Sequence, residues 1–215
     1  MPNALLMKRR DLLRSAGAAG LLIPGGFALA DDDAPAGPPF ADVTGQLPDL
    51  QFNMTLASTG APVTAAHFAG HPVILYFGFT RCTDTCPLTM ENAARLVHRM
   101  GAAGQDLRVL FVTIDPVYDT LPRLKTYMAN FGPAPVIDGL RGSNAQLASM
   151  AKRFGVQYTA VTSADTPDPV ANISHSVAVY GFGPGGKARY ILGTLAADKP
   201  DLATVATLLT PLTKA

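Results

Sequence analysis

The chain has 215 residues, of which 48% are hydrophobic, 15% are charged and 7% are aromatic. The apolar residues suffice for one sizeable core, and the low charged fraction disfavours disorder and coiled coils. A formal net charge of +1, without a basic stripe, excludes the large positive field that nucleic-acid binding needs. We therefore predict one globular domain without a nucleic-acid partner.

The N-terminus, residues 1–30, has the layout of a secretory signal. The basic residues Lys8, Arg9, Arg10 and Arg14 precede an uncharged, apolar stretch that ends at residue 30. The arginine pair, followed one residue later by two leucines, resembles a twin-arginine export signal. Because the stretch is shorter than the roughly 20 residues that span a bilayer, we predict cleavage after it and a periplasmic location. An uncleaved signal would anchor the domain to the inner membrane.

Residues 31–48 are rich in Asp, Ala, Gly and Pro, which predicts a flexible tether before a domain at residues 49–215. Hydrophobic periodicity then predicts alternating strands and helices. The predicted strands are residues 50–56, 72–79, 107–114, 136–140, 176–182 and 188–192, and the predicted helices are residues 87–103, 121–131, 145–154 and 200–212. This order predicts an α/β, thioredoxin-like fold, with a central mixed sheet flanked by helices, an N-terminal extension and extra β elements.

The chain has two cysteines, Cys82 and Cys86, placed where the predicted buried strand 72–79 passes into a helix. Backbone N–H groups and the helix dipole favour a thiolate there. The pair could close a disulfide, exchange disulfides with a partner, or hold a soft metal. A disulfide across so short a loop would stabilise the fold by only about 2 kcal/mol, so reactivity is favoured over a purely structural role.

Two cysteines are too few for a closed tetrahedral metal site, so a third ligand is needed. His67 and His71 precede the buried strand, at the end far from the cysteines, and we expect them to have surface or capping roles. We expect His98 to be solvated on the face of a helix. His175 opens a strand whose entering loop lies beside the cysteine loop in a thioredoxin-like sheet. From the residues alone, His175 remains either a ligand or an exposed loop residue. Two thiolates and one imidazole suit copper, and zinc would compete.

Three blocks of sequence carry a family resemblance. They are residues 76–87 (YFGFTRCTDTCP), residues 112–120 (VTIDPVYDT), and the pair His175–Ser176 on the strand that ends in GPGG at residues 183–186. Together they resemble the Sco/SenC family of cytochrome c oxidase assembly factors, over roughly residues 45–212.

This resemblance implies a thioredoxin-like domain in which Cys82, Cys86 and His175 bind one copper ion per chain, as Cu(I) or Cu(II). It also implies a metallochaperone rather than an enzyme. Such a protein delivers copper to the dinuclear copper site of cytochrome c oxidase subunit II, or to a related copper protein, or keeps that site reduced. Another periplasmic copper chaperone or a thiol reductase is a further expected partner.

Two departures from the family pattern stand beside the site. Ser174 occupies a position where an acidic residue is common, which puts the affinity for Cu(II) in doubt more than that for Cu(I). Arg81 replaces a histidine before the first cysteine, and its fixed positive charge should lower the pKa of the thiolates.

A periplasmic thiol-disulfide oxidoreductase, with Cys82 and Cys86 as its redox-active pair, is the alternative function. Three residues separate these cysteines, where oxidoreductases of this fold usually have two, and the wider spacing favours a metal. A peroxidase of the same fold would need an arginine beside an activated cysteine, and Arg81 is a candidate.

Four further residues near the motifs have plainer interpretations. Asp84 lies between the cysteines, and we expect it to be a solvated loop residue because a carboxylate is too hard a donor for Cu(I). Met90 lies at helical spacing on the predicted helix, so we expect it to pack in the core rather than to act as a thioether ligand. Asp115 and Asp119 flank a proline turn, and we expect them to form this turn and to cap the following helix.

Overall fold

The structure is a computed structural model that describes residues 39–159, 163 and 173–214. The predicted signal, residues 1–30, and the first part of the predicted tether lie outside the described residues, as does most of the polar loop before Ser174. Within the described ranges, no helix has the length and hydrophobicity that a membrane span requires.

A single mixed sheet organises the domain. Its strands, among the described residues, are β1 (Ala41–Asp42), β2 (Asn53–Leu56), β3 (Pro62–Thr64), β4 (Val73–Gly78), β5 (Arg108–Thr113), β6 (Ile137–Arg141), β7 (Val179–Phe182) and β8 (Ala188–Ile191). Their order across the sheet is β1-β8-β7-β4-β5-β6-β2-β3. The β4, β5 and β6 strands are parallel and the other pairings are antiparallel. The α/β class and the mixed sheet predicted from the sequence are confirmed.

Helices connect and cover the strands. They are α1 (Thr85–Met100), α2 (Ala102–Asp106), α3 (Leu121–Met128), α4 (Asn144–Phe154) and α5 (Leu202–Leu209), with short 3-10 helices at Ala65–Phe68, Gly193–Ala196 and Thr210–Lys214. The α1 helix packs against α5, and α3 packs against β6. Helix α4 begins with a capping box in which Ser143 and Gln146 bond reciprocally.

The continuous apolar run of β4 explains its central place. Every residue of β4 is buried, as a strand covered on both faces requires. It pairs in parallel with β5, so that Gly78 lies opposite Thr113, and antiparallel with β7. The carboxyl ends of β4 and β5 therefore meet at one edge of the sheet, and the loops that follow them are neighbours.

Several boundaries differ from the sequence prediction. The β1 strand falls inside the predicted tether, residues 31–48, and pairs with β8 through Ala41 and Ile191. Two-residue and three-residue strands such as β1 and β3 are too short for a periodic signal. The predicted helix at residues 87–103 starts earlier, at Thr85, and ends at Met100, because the next residue, Gly101, has a φ of +58°, in the region that favours glycine.

Candidate metal and thiol site

The two cysteines lie at the carboxyl edge of β4. Cys82 lies in the loop after this strand and is partly exposed, whereas Cys86 lies in the first turn of α1 and is fully buried. Both are free thiols. The backbone N–H of Cys86 donates to Cys82 Sγ across 3.5 Å. The first turn of the helix therefore directs an amide at the more exposed sulfur, which favours its thiolate form.

His175 reaches this pair from the segment before β7. Around it, Thr159 N–H donates to the Ser174 carbonyl and Ser176 N–H donates to the Gln157 carbonyl. These bonds pair the segment that contains His175 with residues 157–159. His175 forms an isolated antiparallel bridge there, and the regular strand begins only at Val179, later than the predicted residue 176. This pairing places the imidazole beside the cysteine loop.

The imidazole contacts the buried cysteine directly. His175 Nε2 lies 3.4 Å from Cys86 Sγ. Its other nitrogen, Nδ1, lies 3.0 Å from the Ser176 carbonyl, a contact that favours the tautomer with its proton on Nδ1. Nε2 then faces the Cys86 sulfur. The Ser176 carbonyl thus orients the ring, while Ser174 bonds to Thr159 through its side chain.

Two aromatic rings pack edge-on against the imidazole. The rings of Tyr76 and Phe79 both have centroids 5.9 Å from the His175 centroid. The Tyr76 hydroxyl also donates to Cys86 Sγ across 3.6 Å. Sequence reasoning missed Tyr76, although a tyrosine in a fully buried strand signals a hydroxyl that needs a buried partner.

The two thiols have opposite pKa shifts because they share a hydrogen bond. Donation from Cys86 is the largest cause that lowers the pKa of Cys82 to about 4, and a hydrogen bond with His175 adds to it. The same bond to Cys82, together with burial, raises the pKa of the Cys86 thiol. At neutral pH, Cys82 is therefore a thiolate and Cys86 is its hydrogen-bond donor.

Arg81 does not act on the thiolates in the way the sequence predicted. Its guanidinium forms an ion pair with Asp115, with 2.5 Å between Nη2 and Oδ2, and lies 4.2 Å from the ring centroid of Tyr118. Asp115 is fully buried, so its carboxylate compensates the arginine charge. The lowered pKa of Cys82 arises mainly from Cys86 rather than from Arg81.

Asp115 and Asp119 shape the loop after β5. Asp119 N–H donates to the Asp115 carbonyl and Tyr118 N–H donates to Asp115 Oδ1, so the predicted turn is present. The predicted helix cap is not, because the Asp119 carboxylate faces Thr80 and Thr113 instead. Burial raises the pKa of Asp119. Both carboxylates therefore bind the cysteine loop, which lies more than thirty positions away in sequence.

The remaining sequence candidates lie where predicted. His67, His98 and Asp84 are exposed, and Met90 is fully buried in the core. His71 lies 2.9 Å from the Asp106 carbonyl through Nδ1, at the far end of β4 from the cysteines. Asp84 takes part in the cysteine site through its backbone, whose hydrogen bond helps to lower the pKa of Cys82.

The site combines sulfur and nitrogen donors that suit a soft metal. In a tetrahedral site with metal–ligand bonds of about 2.0–2.3 Å, neighbouring donors lie roughly 3.5 Å apart, which is close to the distance between Cys86 and His175. Over the described ranges, however, no group of three or more His, Cys, Asp or Glu side chains is already disposed to hold a metal ion. Metal binding by Cys82, Cys86 and His175 would therefore require side-chain reorientation.

Comparison with known proteins places this site in a family context. The SCO1/SenC family profile matches residues 46–210. "Protein SCO2 homolog, mitochondrial" of Bos taurus is 35% identical over 123 residues, which are 56% of this chain and 45% of that protein. The chain spans about half the length of the curated relatives it matches.

Two solved structures show the same fold. Yeast Sco1 with copper bound superposes with a TM-score of 0.63 and 26% identity, over 74% of this chain and 88% of that one. BsSco, described as a member of the Sco family of cytochrome c oxidase assembly proteins with a disulfide switch, has a TM-score of 0.61 and 20% identity, over 79% of this chain and 97% of that one. The predicted thioredoxin-like fold is confirmed by these neighbours.

Proposed function

Since the chain belongs to the SCO1/SenC family, we propose that it is a copper metallochaperone that carries one copper ion on Cys82, Cys86 and His175. It passes copper to the dinuclear copper site of cytochrome c oxidase subunit II, or to a related copper protein, or keeps that site reduced. Bound copper is its cargo, so the protein needs no turnover of its own.

The observation that carries this proposal is the contact between Cys86 Sγ and His175 Nε2 at 3.4 Å, with Cys82 beside them. The two sulfurs suit Cu(I), and the imidazole adds the nitrogen that Cu(II) prefers. The hydrogen bond from Nδ1 to the Ser176 carbonyl supplies the orientation that an acidic neighbour would otherwise give. Partial exposure of Cys82 gives an incoming copper protein access to one ligand.

Location and export complete the proposal. Residues 1–30 direct the protein through the twin-arginine route to the periplasm. The inner membrane holds the domain if the signal is not cleaved. Another periplasmic copper chaperone or a thiol reductase would load or reduce the site.

A second function, thiol-disulfide exchange, is favoured by the low pKa of Cys82. The Cys82 thiolate attacks one sulfur of a partner disulfide, which forms a mixed disulfide and releases the other sulfur as a thiolate. Cys86 then loses its proton and attacks Cys82 Sγ, which releases the partner as a dithiol and leaves a Cys82–Cys86 disulfide. Two electrons pass to the partner, and an external thiol reductase restores the dithiol.

Copper retention tests the first function. The reduced protein is mixed with one equivalent of Cu(I), desalted and analysed for copper. We expect about one copper per chain in the wild type and its loss in Cys82→Ser, Cys86→Ser and His175→Ala. His98→Ala, a change at an exposed histidine on α1, is the matched control and retains copper. Retention by His175→Ala at the wild-type level would remove the histidine from the site.

Disulfide exchange by the same variants separates the two functions. His175→Ala keeps both cysteines. If this variant loses copper but reduces a partner disulfide at the wild-type rate, disulfide exchange needs only the two thiols. A wild type that neither retains copper nor exchanges disulfides contradicts both functions.

A further inference from the structure

Two arginines stack on one tyrosine beside the cysteine loop. The guanidinium carbons of Arg81 and Arg123 lie 4.2 and 4.3 Å from the centroid of the Tyr118 ring. Arg123 Nη1 also donates to the Tyr118 carbonyl across 2.9 Å. We call Arg81, Tyr118 and Arg123 the arginine platform. Stacking and the carbonyl bond hold the Arg123 side chain in place, so little conformational entropy remains to be lost when it binds a partner.

The positive charge of this platform is only partly compensated. The Asp115 carboxylate pairs with Arg81. Arg123 is exposed, and in the part of the chain that the structure describes it forms no ion pair. Arg141, on the other side of the same loop, donates to the carbonyls of Pro116 and Asp119 and likewise has no carboxylate partner among the described residues. The guanidinium groups of Arg123 and Arg141 thus flank the loop after β5, and neither forms an ion pair with a described residue.

The platform borders the site at its accessible side. Arg81 directly precedes Cys82, the partly exposed cysteine, and Tyr118 and Arg123 lie on the loop and helix that follow the neighbouring strand. The Arg81 side chain is only 12% exposed and is paired with Asp115, so the exposed Arg123 is the guanidinium that a protein bringing its own cysteines to Cys82 would meet. Arginine binds carboxylates through two parallel hydrogen bonds, which fixes orientation as well as proximity.

We propose that the arginine platform is a docking surface for an acidic protein partner, one with carboxylates beside the cysteines that exchange with Cys82. The proposal rests on the proposed function, because it specifies the charge of the partner that the same site serves. Complementary charge speeds diffusional encounter and sets orientation, and the effect weakens as salt rises.

Two synthetic peptides test this proposal. Each carries one cysteine as a mixed disulfide with 5-thio-2-nitrobenzoate; glutamates flank the cysteine in one peptide and glutamines in the other. Attack of the Cys82 thiolate on the peptide sulfur forms a protein–peptide disulfide and releases the coloured nitrobenzoate thiolate, so absorbance gives the rate. We expect the wild type to react about tenfold faster with the acidic peptide at low salt, with the advantage lost at high salt.

Arg123→Glu is the test variant, and Arg99→Glu, at the far end of α1 from Cys86, is the control with the same change in charge. Arg123→Glu should abolish or reverse the preference for the acidic peptide and leave the rate with the neutral peptide unchanged. Arg99→Glu should leave the preference intact. Equal rates for both peptides with the wild type, no reaction with either peptide, or equal losses in the two variants would each overturn the proposal.

Copper retention separates this outcome from failure of the proposed function. Arg123→Glu should retain about one copper per chain, as the wild type does, because Arg123 lies outside the proposed ligand set. A wild type that discriminates between the peptides but binds no copper would overturn the copper function while leaving the docking surface in place.

Discussion

Asp119 fixes Thr80 through both the backbone and the side chain of the threonine. Its carboxylate accepts a hydrogen bond from Thr80 N–H at 3.1 Å and another from the Thr80 hydroxyl, and Asp119 is fully buried. Thr80 lies two positions before Cys82, so this contact determines where the cysteine loop leaves β4.

Asp119→Ala should therefore loosen the cysteine loop. Loss of the carboxylate leaves the Thr80 N–H without its acceptor, so we expect the free energy of unfolding to fall by about 2 kcal/mol, measured by urea denaturation. Copper retention should fall as well. Asp201→Ala removes the bond from Thr204 N–H at the start of α5 and should cost about 1 kcal/mol without loss of copper. Full copper retention by Asp119→Ala would contradict this role.

Gly78 provides the space for the buried cysteine. A Cβ at this position would lie 2.7 Å from a ring carbon of Phe111 and 2.9 Å from Cys86 Sγ. Gly78→Ala should therefore destabilise the fold by about 1–3 kcal/mol and displace the cysteine sulfur from His175. Urea denaturation and copper titration measure the two effects.

Gly183→Ala is the matched control for that substitution. A Cβ at Gly183 would find its nearest atoms, from Arg189 and Lys187, at 3.7 and 3.9 Å, which is ordinary contact. We expect unchanged copper binding in this variant. Equal behaviour of the two variants would show that the close approach at Gly78 has no bearing on the site.

The low pKa of Cys82 depends on a donor at position 86. The rate of alkylation of Cys82 by iodoacetamide, followed by mass spectrometry, should rise with pH through about 4, since the thiolate is the nucleophile. Cys86→Ala removes the donor and should move this midpoint upward, toward the ordinary value of about 8.5. Cys86→Ser keeps a hydroxyl donor and should remain lower than Cys86→Ala. Coincident profiles for the two variants would rule out the hydrogen bond as the cause.

The same pKa shift predicts how stability depends on pH. Because the pKa of Cys82 is lower in the folded state, its thiolate contributes stability that is complete above the pKa of the unfolded thiol. That contribution is lost as the pH falls through about 4. Urea unfolding midpoints of the wild type and Cys82→Ser, compared from pH 4 to pH 9, should diverge as the pH rises. Parallel curves would contradict the shift.

Arg81 and Asp115 should be energetically coupled. The side chains are 12% and 0% exposed, so Arg81→Ala leaves a buried carboxylate without its cation and should cost about 3 kcal/mol. The double variant with Asp115→Ala should cost less than the sum of the single changes in a double-mutant cycle of urea unfolding. The pair of Lys187 and Asp49, whose side chains are 72% and 46% exposed, should couple by less than about 1 kcal/mol. Additive effects at Arg81 and Asp115 would contradict the ion pair.

Much of the fold follows from the sequence because its strongest signals are long and regular. The unbroken apolar run of β4 can be satisfied only by a strand buried on both faces, and the alternation of helices and strands restricts the topology. From that topology the proximity of His175 to the cysteine loop also follows. The edge strands β1 and β3 do not, because pairing with a neighbouring strand, rather than periodicity, defines them.

The details of the site depend on contacts between distant parts of the chain. The pairing of Arg81 with Asp115 spans 34 positions, and sequence reasoning that lacked this pairing assigned the arginine charge to the thiolates. That Cys86 Sγ lies 3.4 Å from His175 Nε2 depends on the depth of the first turn of α1 and on the space at Gly78. No local pattern encodes either relationship, although a glycine within a run of large apolar residues is a sign of close approach.

The absorption spectrum of the protein loaded with one equivalent of Cu(II) tests the central claim most directly. If Cys82, Cys86 and His175 hold the metal, the wild type should show a strong thiolate-to-Cu(II) charge-transfer band. The band should be lost in Cys82→Ser and in Cys86→Ser and shifted in His175→Ala. A wild type without this band, or a band that persists unchanged in either cysteine variant, would contradict the copper site.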